Sequence, residues 1–327
     1  MAERAAITQG VQIGVESTSG TAVAANRRLR SIGIEPNPQA NIDTFRPPGQ
    51  KYAALTALGK EWMEFGLSGR PSYNELQYVL ASILGNTVIS TPVGATDARK
   101  WAFGSNTFSE DAVETMTVEQ GGSVRAHRFA YGLVTEASLA ISRDAVELGG
   151  SGIGRRIEDD ITLTAAPTSF PLVPILGNQM DVYADGDFAD IGDTKLGRLL
   201  SCNWSLSSRF NPLWIIDSSQ PSFITHVENE PGLSFEMIVE ADEEGMAYLT
   251  QLRASGRSFI KIKATGPIIE AAIPYSLNLN MAGEIGAMGG FSDQDGVYAV
   301  GWTFSGVDDS DMGNAVNAEL INKVAAF

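Results

Sequence analysis

The sequence predicts a mainly β protein built from two tandem copies of one strand–helix–strand unit. Three observations carry this: a turn-rich composition, short segments that alternate apolar and polar residues, and an internal repeat. The chain has 327 residues, with 34 glycines, 14 prolines, 43% hydrophobic and only 19% charged residues. That balance is nearer to strands and turns than to helices. Its length suffices for two cores.

The repeat emerges when residues 180–256 are laid over residues 10–86 at a constant offset of 170. Arg28-Leu29-Arg30-Ser31-Ile32 then falls on Arg198-Leu199-Leu200-Ser201-Cys202, and Ile34 on Trp204. Met63, Phe65 and Leu67 fall on Leu233, Phe235 and Met237, Leu76 on Met246, and Tyr78 on Tyr248. Farther on the register shifts but the order persists: Tyr131-x-Leu133 answers Tyr275-x-Leu277, and Ser151-Gly152-Ile153 answers Ser305-Gly306-Val307. A duplicated subunit can replace two subunits of a symmetric assembly, so the repeat points to a ring-forming block.

The elements follow in order. Val11 to Glu16 alternates as a strand and Ser17–Thr21 breaks it. A second strand runs from Arg28 to Ile34, and Pro36 and Pro38 end it. Residues 36–60, including Arg46-Pro47-Pro48-Gly49, read as an extended arm, and long arms in compact domains usually bind something. Trp62 to Gly69 is a strand with Met63, Phe65 and Leu67 on one face. The next helix has Ser72 and Glu75 at capping-box spacing, Leu76, Val79, Leu80 and Ile83 on one face, and Gly85-Asn86 as its stop. Residues 87–127 read as an insertion that the second copy lacks. Strands resume at 129–141 and 146–153.

Prolines 167, 171 and 174 mark 166–178 as a linker between a first domain at 1–165 and a second at 179–327. In the second copy, Leu233 to Glu240 alternates. Asp242 to Arg253 is a helix with acids first and a base last, as the helix dipole prefers. Tyr275 to Ala282 is a half-buried strand. A hairpin turns at 292–296 into Val297 to Phe304, and an acidic tail begins at Asp308.

Little in the sequence suggests catalysis, and the protein is expected not to be an enzyme or to carry a cofactor. His127 and His226 lack partners at metal-ligand spacing and read as surface or loop residues. Gly149-Gly150-Ser151-Gly152 is not a nucleophile elbow, and Gly150-x-Gly152-x-Gly154 lacks the dinucleotide spacing. The acids at 185–193, 293–295 and 308–311 do not follow a calcium-loop pattern and read as solvated turns. Cys202, the single cysteine, excludes an intrachain disulfide and is expected to be buried. No apolar stretch is long enough to span a bilayer, and Met1-Ala2-Glu3-Arg4 does not open a signal peptide. The net charge of −16 opposes conventional nucleic-acid binding, which needs Lys and Arg to displace counterions. It suits either plain solubility or a surface that DNA must pass without sticking.

Several stretches resemble the major tail (tail tube) proteins of long, non-contractile-tailed phages infecting actinobacteria. The carriers are Val11 to Ala25, Asp43-Thr-Phe-Arg-Pro-Pro-Gly-Gln-Lys-Tyr52, and Trp62 through Tyr73-x-Glu75-Leu76-x-x-Val79, mainly within the first 85 residues. The resemblance implies two tandem tail-tube-like β-sandwich or barrel-segment domains, each with one flanking α-helix. Such subunits stack as rings into a hollow conduit for DNA ejection, and duplicated members form rings of three chains with pseudo-sixfold symmetry. It implies localisation to the virion after synthesis in host cytoplasm. Its partners would be further copies of itself and the tail terminator, tape-measure and baseplate or distal tail proteins. Genomic DNA would pass without sequence-specific binding, and no membrane insertion is expected. Glu64, Glu136, Glu236 and Glu240, on polar strand faces, are candidate lumen acids. Asp43, Phe45, Arg46, Pro47, Lys51 and Tyr52 are candidate inter-ring arm residues. The competing reading is a two-domain β-sandwich carbohydrate-binding or surface adhesion protein. It would need an aromatic-lined groove, whereas the five tryptophans are scattered.

Overall fold

The computed structural model describes residues 9–85, 89–122 and 124–327. The expected readings at residues 1–4 and at Asn86 lie outside them. Within the described residues the chain is mainly β with two α-helices. The first half supplies β1 (Gly10–Val15), β2 (Arg27–Leu29), β3 (Ile32–Phe45), β4 (Leu55–Gly69), α1 (Leu76–Ile83), β5 (Thr91–Pro92), β6 (Arg99–Gly104), β7 (Met116–Gly121), β8 (Ala126–Ser142), β9 (Val146–Gly154), β10 (Glu158–Ile161) and β11 (Thr168–Ser169). The second supplies β12 (Met180–Asp185), β13 (Leu199–Ser207), β14 (Phe210–Leu213), β15 (Thr225–Glu228), β16 (Gly232–Glu240), α2 (Glu243–Ala254), β17 (Arg257–Glu270), β18 (Ile273–Gln294), β19 (Val297–Gly306) and β20 (Val316–Asn322).

The two halves share one antiparallel strand path. In the first, hydrogen bonding runs β1–β7–β8–β9–β4–β3. In the second it runs β12–β17–β18–β19–β16–β13. Both halves place their helix after the β4 or β16 strand.

Pairing also refines the repeat. Ile34 pairs with Leu67, but Trp204, 170 positions on, pairs with Phe235 rather than Met237. The offset therefore drops to 168 between β3 and β4 on one side and β13 and β16 on the other, where the connecting segments differ in length. Gly152 and Gly306 anchor the shifted frame. Gly152 lies against Phe65 and Gly306 against Leu233, each too close for a Cβ. This agrees with the match of Ser151-Gly152-Ile153 to Ser305-Gly306-Val307, and corrects that of Phe65 to Phe235.

The halves are joined edge to edge. β13 pairs with the distal part of β8, from Ser201↔Ser142 to Leu206↔Ala137. β20 bridges β18 and β6. A single apolar cluster runs from Ile13 through Phe65 and Trp204 to Phe304. Residues 166–178, expected as a linker, form a packed strap instead. β11 runs parallel to β2, Ser72 bridges Pro174, and Ile175 is buried. The prolines are accommodated because a strap at a sheet margin needs few ladder N–H groups.

Four local expectations are also corrected. The arm at 36–60 is the outer part of a long β3–β4 hairpin rather than a loop, paired from Ile32↔Gly69 to Phe45↔Leu55 with one bulge after Ala40. Residues 87–127 are not simply an insertion: β7 within them is the counterpart of β17, and β6 supplies the partner of β20. Helix α1 is buried on every side, not on one face, because the C-terminal segment covers it: Asn322 Nδ2 donates to Tyr73 O (2.9 Å) and Gln77 Oε1 (2.8 Å). Its capping box does not form. Glu75 turns away to accept hydrogen bonds from Arg30 N (3.0 Å), Ser31 N (2.8 Å) and Ser31 Oγ (2.6 Å), donors left free at the β2–β3 bend. In α2, by contrast, Asp242 caps Gly245 N at 2.9 Å, and Ser255 closes the helix in the left-handed region.

Candidate assembly surface

The β8–β13 junction makes one continuous run of eight strands, β3–β4–β9–β8–β13–β16–β19–β18, four from each half. One face of this run is core. Ile34, Phe65, Leu139, Trp204, Phe235 and Phe304 are all buried there. Strand alternation puts their neighbours on the opposite face.

That opposite face gathers all four candidate acids. Glu64 sits between buried Met63 and Phe65, Glu136 beside buried Ala137, and Glu236 and Glu240 flank Met237 and Val239. Ser151 Oγ donates to Glu136 at 3.3 Å, and Trp62 Nε1 donates to Glu64 at 3.0 Å. Glu240 differs from the rest: Arg198 holds it at 2.5 Å and also reaches Asp242 at 3.1 Å, so its charge is compensated locally. Glu64, Glu136 and Glu236 make no ion pair among the described residues. Three further acids occupy the same face: Glu35 in the row of Gly66, Glu147 opposite Ala140, and Glu284 opposite Ser305. The alternation of Ile34-Glu35, Val146-Glu147-Leu148 and Glu284-Ile285 carried that signal. The strand segments that build the face, 32–39, 62–69, 134–142, 146–154, 199–207, 232–240, 284–294 and 297–306, contain no Lys or Arg.

One end of this face is covered by residues 208–231, the segment that joins β13 to β16. β14 and β15 pair within it. Its Trp214 packs edge-on against Trp62 (ring centroids 5.7 Å), and Phe223 packs against Tyr131 (5.0 Å). Arg209 anchors it. The buried guanidinium contacts Asp111, reaches Glu228 at 2.8 Å, and donates from Nε to Ile83 O at 3.1 Å. Burial lowers the Arg209 pKa, and Glu228 opposes that shift. His226 is half-buried on β15, not in a loop, with Nδ1 3.0 Å from Tyr131 Oη. Burial lowers its pKa.

The candidate arm residues lie apart from the acids. Asp43, Phe45, Arg46, Lys51 and Tyr52 are exposed and Pro47 is half-exposed, all at or near the hairpin end. Ile42, Leu55 and Leu58 add further exposed apolar side chains. Lys51 Nζ lies 5.6 Å from the Tyr52 ring centroid. The acid clusters are turn devices. Buried Asp185 accepts from Gly192 N (2.7 Å) and Thr194 N (2.9 Å), and Asp309 accepts from Asp311 N (2.9 Å) and pairs with Arg257. No cluster of three metal-ligating side chains occurs among the described residues. Cys202 is buried, which pushes its thiol pKa up to about 12. Trp101, Trp204 and Trp302 are core residues. No helix among the described residues is long and apolar enough to cross a membrane.

Two edges of the eight-strand run have no partner among the described residues: the outer edge of β3, and β18 beyond Glu284 on the side away from β19. Comparison of the chain with protein-family models and with curated proteins found no match.

Proposed function

We propose that this chain is the structural subunit of a phage tail tube. Copies of it close into rings, three chains presenting six equivalent halves, and the rings stack into a conduit for DNA. The observation that carries this reading is the β8–β13 junction. It joins the two halves of one chain edge to edge, and the run it creates ends in two open strand edges. Open edges template further pairing, and closure into a barrel removes them. In such a ring the acidic face lines the bore. Duplex DNA carries one charge per ~1.7 Å of axis, so a bore whose wall strands carry acids and no Lys or Arg, with Arg198 compensated by Glu240 and Asp242, lets it slide. Tail terminator, tape-measure and distal tail proteins would meet the two ends of the tube.

Negative-stain imaging of the purified protein at rising concentration tests the reading. Hollow rings and tubes are expected. Monodisperse monomers at every concentration would contradict it.

A further inference from the structure

The junction inside one chain also fixes how two chains meet. In that junction Trp204 pairs with Leu139, Ser205 with Ser138, and Cys202 with Ile141. Each residue has a counterpart in the other half. On β3, at offset 170, the counterparts of Cys202, Trp204 and Ser205 are Ile32, Ile34 and Glu35. On β18 the counterparts follow from shared partners on β9 and β19, with Gly152 equivalent to Gly306. Leu148 pairs with Leu139 and its equivalent Trp302 with Met288. Val146 pairs with Ile141 and its equivalent Val300 with Phe291, while Gly149 pairs with Ser138 and its equivalent Thr303 with Ala287. From Ile285 on, β18 is open on the side where β13 docks on β8.

From this we infer that the outer edge of β3 in one chain pairs antiparallel with residues 285–292 of β18 in a second copy, with Ile32 facing Phe291, Ile34 facing Met288 and Glu35 facing Ala287. The inference rests on the tube reading and adds the partner edge and the register. Two observations on the free chain agree with it. Phe291 is 48% exposed although its counterpart Ile141 is 6% exposed beneath β13. Tyr298, stacked on Phe291 with ring centroids 5.0 Å apart, is 63% exposed. An aromatic pair left open at a strand edge is what removal of one docking strand produces. In addition, Pro36 and Pro38 mark β3 as an edge strand and confine the ladder it can offer to the residues before them. The bulges on β18 at 285–287 and 288–291 keep this edge irregular until a partner is present, as protected edges do.

Paired cysteines read the register. Glu35→Cys and Ala287→Cys, both at exposed positions, are combined in one chain, and the intrachain pair Ser205→Cys with Ser138→Cys serves as the geometric control. Native Cys202 stays out of exchange because it is buried. Mild oxidation of assembled Glu35→Cys/Ala287→Cys protein should give interchain disulfides, seen as a ladder on non-reducing denaturing gels that ends at the ring size. Glu35→Cys with Ser292→Cys lies about 15 Å out of register at ~3.3 Å per residue, beyond disulfide reach, and should give none. Rings that form but cross-link through Glu35→Cys/Ser292→Cys, or through neither pair, would overturn the register and leave the tube reading intact. Absence of any assembly in images of the unmodified chain would overturn both. Independently, Phe291→Asp should leave a folded monomer that no longer forms rings, since the side chain is exposed before assembly. Tubes of normal length from that variant would also overturn the inference.

Discussion

The segments that join β3 to β4 and β13 to β16 occupy the same place in the repeat and do opposite things. In the second half, residues 208–231 fold back over the first half, and Arg209, Trp214 and Phe223 are packed there. In the first half, the β3–β4 hairpin continues outward, with Ile42, Phe45, Leu55 and Leu58 exposed and Tyr52 at 74% exposure. One segment has found its partner within the chain. The other carries an apolar surface with none among the described residues. Equivalent places in the two halves are thus satisfied within the chain in one case and left exposed in the other, and under the proposed tube reading the exposed copy is the one that meets another subunit.

Breaking the internal contact should have the largest effect on stability. Arg209→Met leaves Asp111 and Glu228 as uncompensated acids, Asp111 fully buried. It should cost about 3–5 kcal/mol in chemical denaturation, the range for removing one partner of a buried ion pair. Shortening the external segment should cost little stability. Replacing residues 41–60 by Asn-Gly joins the cross-strand pair Ala40–Glu61 through a favoured two-residue turn. The melting temperature should stay near that of the parent while polymerisation is lost. Tubes of normal length from this variant would show that the arm is not an assembly contact.

Glu75→Ala acts at the start of β3, the strand that leads into the arm. It strips the acceptor from Arg30 N, Ser31 N and Ser31 Oγ and should cost about 1–3 kcal/mol, the penalty for part-buried donors left unpaired. Glu64→Lys with Glu236→Lys should leave folding and tube assembly intact, since both side chains are exposed, but make the tubes retain duplex DNA at low salt. Tubes that still pass DNA freely would place these residues away from the bore.

The smallest effect concerns His226 in the folded-back segment. Its pKa in the folded chain is lowered from 6.5, so the unfolded chain takes up the proton first as pH falls. The His226 contribution is therefore complete above about 6.5 and lost as pH drops through the folded value. His226→Gln should flatten stability over that window, measured by denaturant midpoints at successive pH values.

How much of this was legible in the sequence depended on one-sided burial. Strands with a core face and a wet face, such as Met63–Leu67 and Leu233–Glu240, show the period of two, and the same alternation placed Glu64, Glu136, Glu236 and Glu240 on one surface. The outer arm is wet on both faces and β7 is buried on nearly every side, so neither alternates and neither shows a strand period in the sequence. Asp295-Gly296 announced its hairpin because that turn needs two positive φ angles, here +54° and +85°. Glu75 had the right spacing for a capping box, but spacing cannot tell that unpaired amides on a distant bend would claim the carboxylate. The junction itself, β13 on β8, brings together residues about 60 positions apart, and only the folded chain joins them.

In the proposed tube the two halves of one chain are neighbours in a ring of equivalent halves. Cryo-electron microscopy of the assembled protein tests it most directly. The expected image is a threefold ring in which the first and second halves of each chain are related by a rotation of about 60°, with the β8–β13 pairing repeated as β18–β3 between chains. A ring of six chains with one half of each outside the wall, or halves joined through any other pair of edges, would contradict it.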